Sequence, residues 1–218
     1  MTCGALLMTY GSPASLDRQD IAAYLARVRG GHEPDDALVD EFTRRYNVIG
    51  GSPLIDITRQ QASALSRELG WPVEVGMRFS DPSIARGLRT LADVGVTKVA
   101  ALIMSPQYSP ILMGGYARSI DAARASIGST APEVMVVGPW HHEPAFIDAI
   151  AGRVRMALGP DRVGRLASHV LMTAHSLPKR VAEQEPGYLD QLRATAEAIA
   201  RKADLAPTGW TFCWQSAG

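Results

Sequence analysis

The sequence predicts an α/β protein built from doubly wound parallel sheets. Short apolar runs of strand length are nearly continuous in hydrophobicity, which is typical of strands covered on both faces. Longer stretches with apolar residues at helical spacing separate these runs, and the alternation predicts right-handed βαβ crossovers. The chain has 218 residues, of which 46% are hydrophobic, so it has room for one large domain or two small ones.

The first part of the chain carries four predicted strands, and we expect it to form a complete N-terminal α/β domain over residues 1–158. The strands are ALLMT (5–9), PVEVGMR (72–78), TKVAALIM (97–104) and EVMVVG (133–138). Helical patterns lie between them and after them. One helix should end at Gly70, a residue typical of C-terminal caps. Another should begin with Asp81 as its N-cap and Pro82 at its first position.

After residue 158 the pattern restarts. The runs SHVLMTA (168–174) and GWTFCWQS (209–216) predict strands, and YLDQLRATAEAIARKA (188–203) predicts a helix. Residues 159–218 are therefore expected to be the start of a second, truncated α/β domain. Two strands and one helix bury too little apolar surface to stand alone, so either a partner chain completes this domain or the sequence is part of a longer protein.

Composition and motifs exclude several classes of protein. The 22 basic and 22 acidic residues are interspersed and give no basic footprint for nucleic acid. No run approaches the roughly 18 apolar residues of a transmembrane segment, and the N-terminus does not resemble a signal peptide. Cys3 and Cys213 cannot form a disulfide scaffold or a metal site of cysteines alone. We therefore expect a cytoplasmic protein. No P-loop, dinucleotide fingerprint or G-x-S-x-G elbow is present.

The loops that follow the strands are the places to look for a site, because ligands of doubly wound folds bind at the carboxyl ends of strands. Tyr10 follows the first strand, in the turn Tyr10-Gly11-Ser12-Pro13, and His175 follows the restarted strand. A histidine there can be a general base, a metal ligand or both, or it can merely complete the turn. Tyr10 is either a packing residue or a ligand. If the two halves face each other, both side chains would point into one cleft.

The neighbouring pair His141 and His142 is interpreted as solvated or helix-start histidines. Adjacent residues point in different directions, so the pair does not predict a two-histidine metal site.

Seven motifs, in the order found in ferrochelatases, resemble that family, with the bacterial coproporphyrin form closest. They are LLMTYGSP (6–13), RYNVIGGSPLIDITRQQ (45–61), VGMRFSDPSI (75–84), SPQYS (105–109), VGPWHHEPAFIDA (137–149), TAHSLP (173–178) and WQSAG (214–218). The resemblance implies a chelatase-like fold of two Rossmann-like domains facing a cleft, the second incomplete here. It also implies an enzyme that inserts ferrous iron into a porphyrin, coproporphyrin III or protoporphyrin IX, in heme biosynthesis.

The resemblance further implies roles for individual residues. His175 resembles the catalytic histidine, an iron ligand and proton acceptor, and Tyr10 resembles the tyrosine that contacts the incoming metal on the opposite face. Positions matching the residues that surround the porphyrin are Arg29, Ser52, Gln61, Arg78 and Tyr108. Iron is then a substrate, and no organic cofactor is expected. An iron–sulfur cluster is not supported, because the cysteines that hold one in some members lie mostly beyond Gly218.

Two alternatives remain open at this stage. One is a non-catalytic fragment that binds porphyrin or metal. The other is a short chelatase completed by homodimerisation through the incomplete second domain, with the apolar run 209–216 at the interface. The acidic partner of the family's histidine would lie beyond the end of this sequence, so activity of the chain by itself is a separate question.

Overall fold

The computed structural model describes residues 2–160, 168–175 and 183–215. In chain order the elements are β1 (Cys3–Thr9), α1 (Arg18–Val28), α2 (Asp36–Ile49), α3 (Leu54–Leu69), β2 (Val73–Met77), α4 (Ile84–Asp93), β3 (Lys98–Ile103), α5 (Pro110–Ile127), β4 (Glu133–Val136), α6 (Pro144–Leu158), β5 (Val170–His175), α7 (Pro186–Lys202) and β6 (Trp210–Gln215). These strands overlap the six predicted runs, although β1 begins two residues earlier and β5 ends one residue later than predicted. They pair in parallel, which confirms the predicted α/β class.

The chain divides into two compact units. The first comprises Met1–Ser105 and Gly114–Val137, and the second comprises Pro106–Met113 and Gly138–Gly218. No helix in the described ranges is long and apolar enough to cross a bilayer.

The first unit is organised around a four-stranded parallel sheet in the order β2-β1-β3-β4. The central strand β1 is almost wholly buried, with Leu6 and Met8 at 0% exposure. On one face of the sheet Leu7 and Val75 pack with Ala62 of α3. Because the chain leaves β1 toward β2 and later returns to its other side at β3, the carboxyl end of β1 lies at the topological switch point, where doubly wound folds bind ligands.

Helix α4 covers the opposite face and approaches the sheet closely. A Cβ atom on Gly87 would lie 2.7 Å from both Leu6 Cδ1 and the backbone oxygen of Val75. Only a glycine therefore allows this helix to pack at its observed distance from β1 and β2.

The predicted start of α4 is wrong by two residues. The helix begins at Ile84, and its N-cap is Ser83, whose Oγ accepts a hydrogen bond from the Arg86 amide at 3.2 Å. The reason lies in the preceding segment: the Pro82 carbonyl accepts from the Met77 amide at 2.7 Å. Met77 also forms an isolated parallel bridge with Ser83, so residues 82–83 are tied to the end of β2 and the helix begins only after Ser83. The predicted cap at Gly70 is confirmed, with φ +65°.

The second unit contains the two-stranded sheet of β5 and β6 and the helices α6 and α7. Ile147 and Ala151 of α6 form an apolar cluster with Ile199 and Ala203 of α7. At the ends of the same two helices, Arg155 Nη1 donates to the Lys202 carbonyl at 2.6 Å.

The division into units differs from the predicted boundary after residue 158. Helix α6 buries its apolar side against α7, and the short segment 106–113 is also bonded to α7. Both segments therefore belong to the second unit, although the sequence pattern placed them with the first four strands.

Candidate functional site

In the first unit, the loops after β1 and β2 run side by side. The Arg78 amide donates to the Thr9 carbonyl at 2.9 Å, and the Phe79 amide donates to the Tyr10 carbonyl at 3.0 Å. Backbone hydrogen bonding between the two segments thus continues past the strand ends. It brings together two of the predicted site residues, Tyr10 and Arg78, at the switch point of the sheet.

The phenol of Tyr10 is partly exposed and rests on an aromatic neighbour. Its ring centroid lies 4.6 Å from that of Phe79, and 44% of the residue is accessible. Burial raises the pKa of Tyr10 above its ordinary value, and the positive charge of Arg78 partly opposes this shift. The side chain is therefore a neutral phenol at neutral pH, with an oxygen that can act as a hydrogen-bond donor or as a weak metal ligand.

Arg78 is held between aromatic rings. Its guanidinium carbon lies 4.6 Å from the centroid of Phe79 and 5.5 Å from that of Tyr116. The guanidinium crosses the α5 backbone at Gly115, where a Cβ atom would overlap it. These contacts orient a planar cation suited to bidentate binding of a carboxylate.

Helix α1 braces both loops through two side chains one turn apart. The Tyr24 hydroxyl donates to the Gly11 carbonyl at 3.1 Å, and Arg27 Nε donates to the Phe79 carbonyl at 2.7 Å. Sequence reasoning did not consider Tyr24 or Arg27 for the site. The signal was the phenol itself, because a buried tyrosine hydroxyl usually finds a hydrogen-bond partner.

The structure explains why residue 11, in the loop after β1, is a glycine. Its φ is +100°, and a Cβ atom there would overlap Ser80 Oγ, which accepts a hydrogen bond from the Ser12 amide at 3.2 Å. The tight turn after β1 is therefore shaped by contact with the neighbouring loop.

The remaining predicted residues of the first unit lie on other elements. Arg29 is the exposed C-cap of α1, and Gln61 is exposed on α3. Ser52 precedes α3, and its Oγ accepts from the Leu54 amide at 3.3 Å. Their roles around a substrate stay predictions.

In the second unit, His175 is the last residue of β5 and lines a cavity of about 420 Å³. Gln107, Tyr188 and Thr195 line the same cavity, which is otherwise largely apolar. Burial raises the pKa of Tyr188. The second half of the TAHSLP motif, residues 176–178, lies outside the described residues.

Tyr108 belongs to a segment that side chains of α7 hold in place. Its amide donates to Gln191 Oε1 at 2.9 Å, and Gln191 Nε2 donates back to the Tyr108 carbonyl at 3.1 Å. Sequence reasoning missed Gln191. The available signal was helical spacing, because Gln191 and Thr195 interrupt a stripe that otherwise carries Tyr188, Leu192 and Ile199.

The two histidines before α6 were interpreted as solvated or helix-start residues, and the structure differs from this at His141. His142 is exposed, whereas His141 is 7% exposed, and burial lowers its pKa. Their ring centroids are 4.0 Å apart. Within the described ranges, histidine, cysteine, aspartate and glutamate side chains form no group of three or more that could hold a metal ion.

Comparison with solved structures identifies the architecture as that of chelatases. SirB from Bacillus subtilis with Fe3+ matches with a TM-score of 0.55 at 13% identity, covering 100% of this chain and 67% of that one. The sirohydrochlorin chelatase SirB from Bacillus subtilis subspecies spizizenii in complex with cobalt matches with a TM-score of 0.51 at 12% identity, covering 98% of this chain and 67% of that one. At such identities the likeness concerns the fold alone.

Sequence comparison then gives the family. The family model described as ferrochelatase matches residues 2–217. A ferrochelatase of Deinococcus radiodurans is 36% identical over 99% of this chain and 69% of its own length. A coproporphyrin III ferrochelatase of Geobacillus kaustophilus is 31% identical over 100% of this chain and 70% of its own length. The chain belongs to the ferrochelatase family, as its motifs predicted.

Proposed function

We propose that this chain inserts ferrous iron into a porphyrin in heme biosynthesis. The family match over residues 2–217 carries the proposal, because it includes Tyr10, Arg78 and His175. Several relatives are named coproporphyrin III ferrochelatases, which makes coproporphyrin III the first substrate to test and protoporphyrin IX the second. The cytoplasmic location stays a prediction from the sequence.

The reaction requires a base and a site that favours a distorted ring. Each porphyrin exchanges two pyrrole N–H protons for one iron(II) ion, so both protons must be removed as the iron–nitrogen bonds form. Iron enters more easily when the macrocycle is buckled, and a site complementary to that shape lowers the barrier. We assign proton removal to His175: its neutral imidazole accepts one proton, releases it to water and then accepts the second. Imidazole also suits ferrous iron as a ligand.

Tyr10 and Arg78 are proposed to handle the metal and the porphyrin carboxylates. The raised pKa keeps the Tyr10 phenol neutral, so it would contact iron as a weak ligand that releases the ion readily. Arg78 would bind a carboxylate through charge-assisted hydrogen bonds. Arg29, Ser52, Gln61 and Tyr108 complete the set of proposed porphyrin contacts.

The test is an anaerobic insertion assay with coproporphyrin III and ferrous iron, followed by absorbance of the metallated ring. We expect turnover above the protein-free rate, and we expect His175→Ala to abolish it with an unchanged circular dichroism spectrum. His32→Ala is the matched control, because His32 is exposed in a loop and should not matter. Full turnover in His175→Ala would refute the assignment of the base.

The same experiment separates the alternatives. Porphyrin binding without insertion by the unmodified chain would support the non-catalytic alternative. Leu171 and Trp214 on the β5–β6 sheet are 62% and 44% exposed, which favours a homodimer as the second candidate. Sedimentation of the active chain as a monomer would eliminate that candidate.

A further inference from the structure

Four hydrogen bonds tie the segment 107–111 to helix α7 and its N-cap residue Glu185 within the second unit. Gln107 Nε2 donates to Thr195 Oγ1 at 2.9 Å, and the Ile111 amide donates to Glu185 Oε1 at 2.8 Å. Between them, Gln191 makes its two bonds to the backbone of Tyr108. All four bonds join residues 74 to 88 positions apart in the chain, so they fix the tertiary position of this segment.

The two bonds of Gln191 require a primary amide. One oxygen accepts from the Tyr108 amide while the nitrogen donates to the Tyr108 carbonyl, as a neighbouring strand would do. A carboxylate can only accept and an ammonium can only donate, so among side chains of this length glutamine alone supplies both groups at neutral pH. The two hydrogen bonds therefore hold both the N–H and the C=O group of one residue, Tyr108.

The clamped segment belongs to the cavity that His175 lines. Gln107 and Thr195, which hydrogen-bond to each other, both line this cavity. Thr195 is 7% exposed, and its hydroxyl donates in turn to the Gln191 carbonyl at 2.7 Å. A shift of the segment along α7 would thus change the wall of the cavity as well as the place of Tyr108.

We propose that Gln191 is a positioning residue for porphyrin binding. It sets the Tyr108 segment relative to the His175 cavity without touching the reacting atoms. The proposal rests on the proposed function, because it takes Tyr108 as a porphyrin contact. Loss of both bonds should raise the dissociation constant and the KM for coproporphyrin III on the order of ten-fold. The effect on kcat should be small, because the base is left in place.

The experiment compares Gln191→Ala with the unmodified chain by fluorescence titration with coproporphyrin III and by steady-state insertion kinetics. Arg193→Ala is the control, because Arg193 is exposed two residues further on the same helix. In a Tyr108→Ala background, Gln191→Ala should add little further loss, since both changes act through one contact. Additive losses, or a change in kcat alone, would overturn the proposal.

A second variant keeps the proposal testable if Gln191→Ala folds poorly. Gln191→Glu retains an acceptor for the Tyr108 amide and regains a donor only when its carboxyl is protonated. The ratio of its dissociation constant to that of the unmodified chain should therefore fall toward one as the pH is lowered from about 8 to about 5. A ratio independent of pH would refute the role of the donated bond.

The two proposals fail in different ways. If the unmodified chain binds and metallates coproporphyrin III but Gln191→Ala does so equally well, the positioning role is wrong and the proposed function stands. If the unmodified chain neither binds nor metallates the porphyrin, the proposed function fails, and with it the role assigned to Gln191.

Discussion

Removal of the Tyr24 hydroxyl tests whether helix α1 holds the Tyr10 loop in position. Tyr24 is 5% exposed, and its hydroxyl donates to the carbonyl of Gly11, which is itself buried. Tyr24→Phe keeps the ring and its packing but leaves this carbonyl without its donor. The change therefore removes the hydrogen bond to Gly11, the residue next to Tyr10, together with the hydrogen bond that Tyr24 shares with Tyr46.

The expected magnitude follows from the burial of the orphaned carbonyl. A buried acceptor that loses its donor costs about 1–3 kcal/mol, more than the net value of an exposed hydrogen bond. We therefore expect the free energy of unfolding to fall by about 1–3 kcal/mol, with an unchanged dependence on denaturant. Because Tyr10 adjoins Gly11, a small displacement should also lower the insertion rate by roughly ten-fold to a hundred-fold.

Urea denaturation and the anaerobic insertion assay measure the two effects. Tyr46→Phe is the control, because Tyr46 also shares a hydrogen bond with Tyr24 but its removal leaves the bond to Gly11 intact. We expect this control to lose less stability and to keep its insertion rate. If Tyr24→Phe retains both stability and rate, the Tyr10 loop does not depend on α1 and the reasoning is wrong.

Two further predictions concern the same unit. Burial raises the pKa of Tyr116 to about 12, and the positive charge of Arg78 partly opposes this shift. The contribution of Tyr116 to the free energy of unfolding is therefore complete below pH 10 and is lost as the pH rises through about 12. The difference in ultraviolet titration between the unmodified chain and Tyr116→Phe should show this late ionisation, and a midpoint near pH 10 would contradict it. Gly87→Ala should destabilise the protein by about 1–3 kcal/mol in urea, because its Cβ would lie 2.7 Å from Leu6 Cδ1. Gly152→Ala in helix α6, where a Cβ meets only an arginine nitrogen at 4.0 Å, should not be destabilising, and equal losses in both variants would refute the packing argument.

The sequence was most informative where the physics is local. Continuous apolar runs predicted the six strands, since a strand buried on both faces must be apolar at nearly every position. Gly70 marked the end of α3 because a left-handed residue at a helix terminus strongly favours glycine. The start of α4 was missed because the Pro82 carbonyl bonds to Met77, and this tertiary pairing overrides a local capping signal.

The candidate site was only partly predictable for a related reason. Tyr10 could be found because it follows a strand and carries suggestive chemistry, whereas Arg78 was named through the resemblance to the family. The assignment of α6 to the second unit could not be found, because its amphipathic pattern shows which side is buried but does not show against which helix. His141 was taken as solvated or helix-start for the same reason: its burial depends on neighbours that are distant in sequence.

The two units hold their candidate residues by the same physical means. Tyr24 and Arg27 of α1 donate to the backbone carbonyls of Gly11 and Phe79, and Gln191 of α7 bonds to both polar groups of the Tyr108 backbone. A helix side chain that bonds to loop backbone fixes the path of the loop whatever side chain the loop residue carries. Substitutions at Tyr10 or Tyr108 should therefore change chemistry and leave loop geometry intact. Substitutions at the bracing residues should change geometry and leave the chemical groups in place. The contrast predicts that variants of the bracing residues lose porphyrin affinity or insertion rate in proportion to the displacement of the loop that they hold. None of these helix residues belongs to the motifs by which the family is identified.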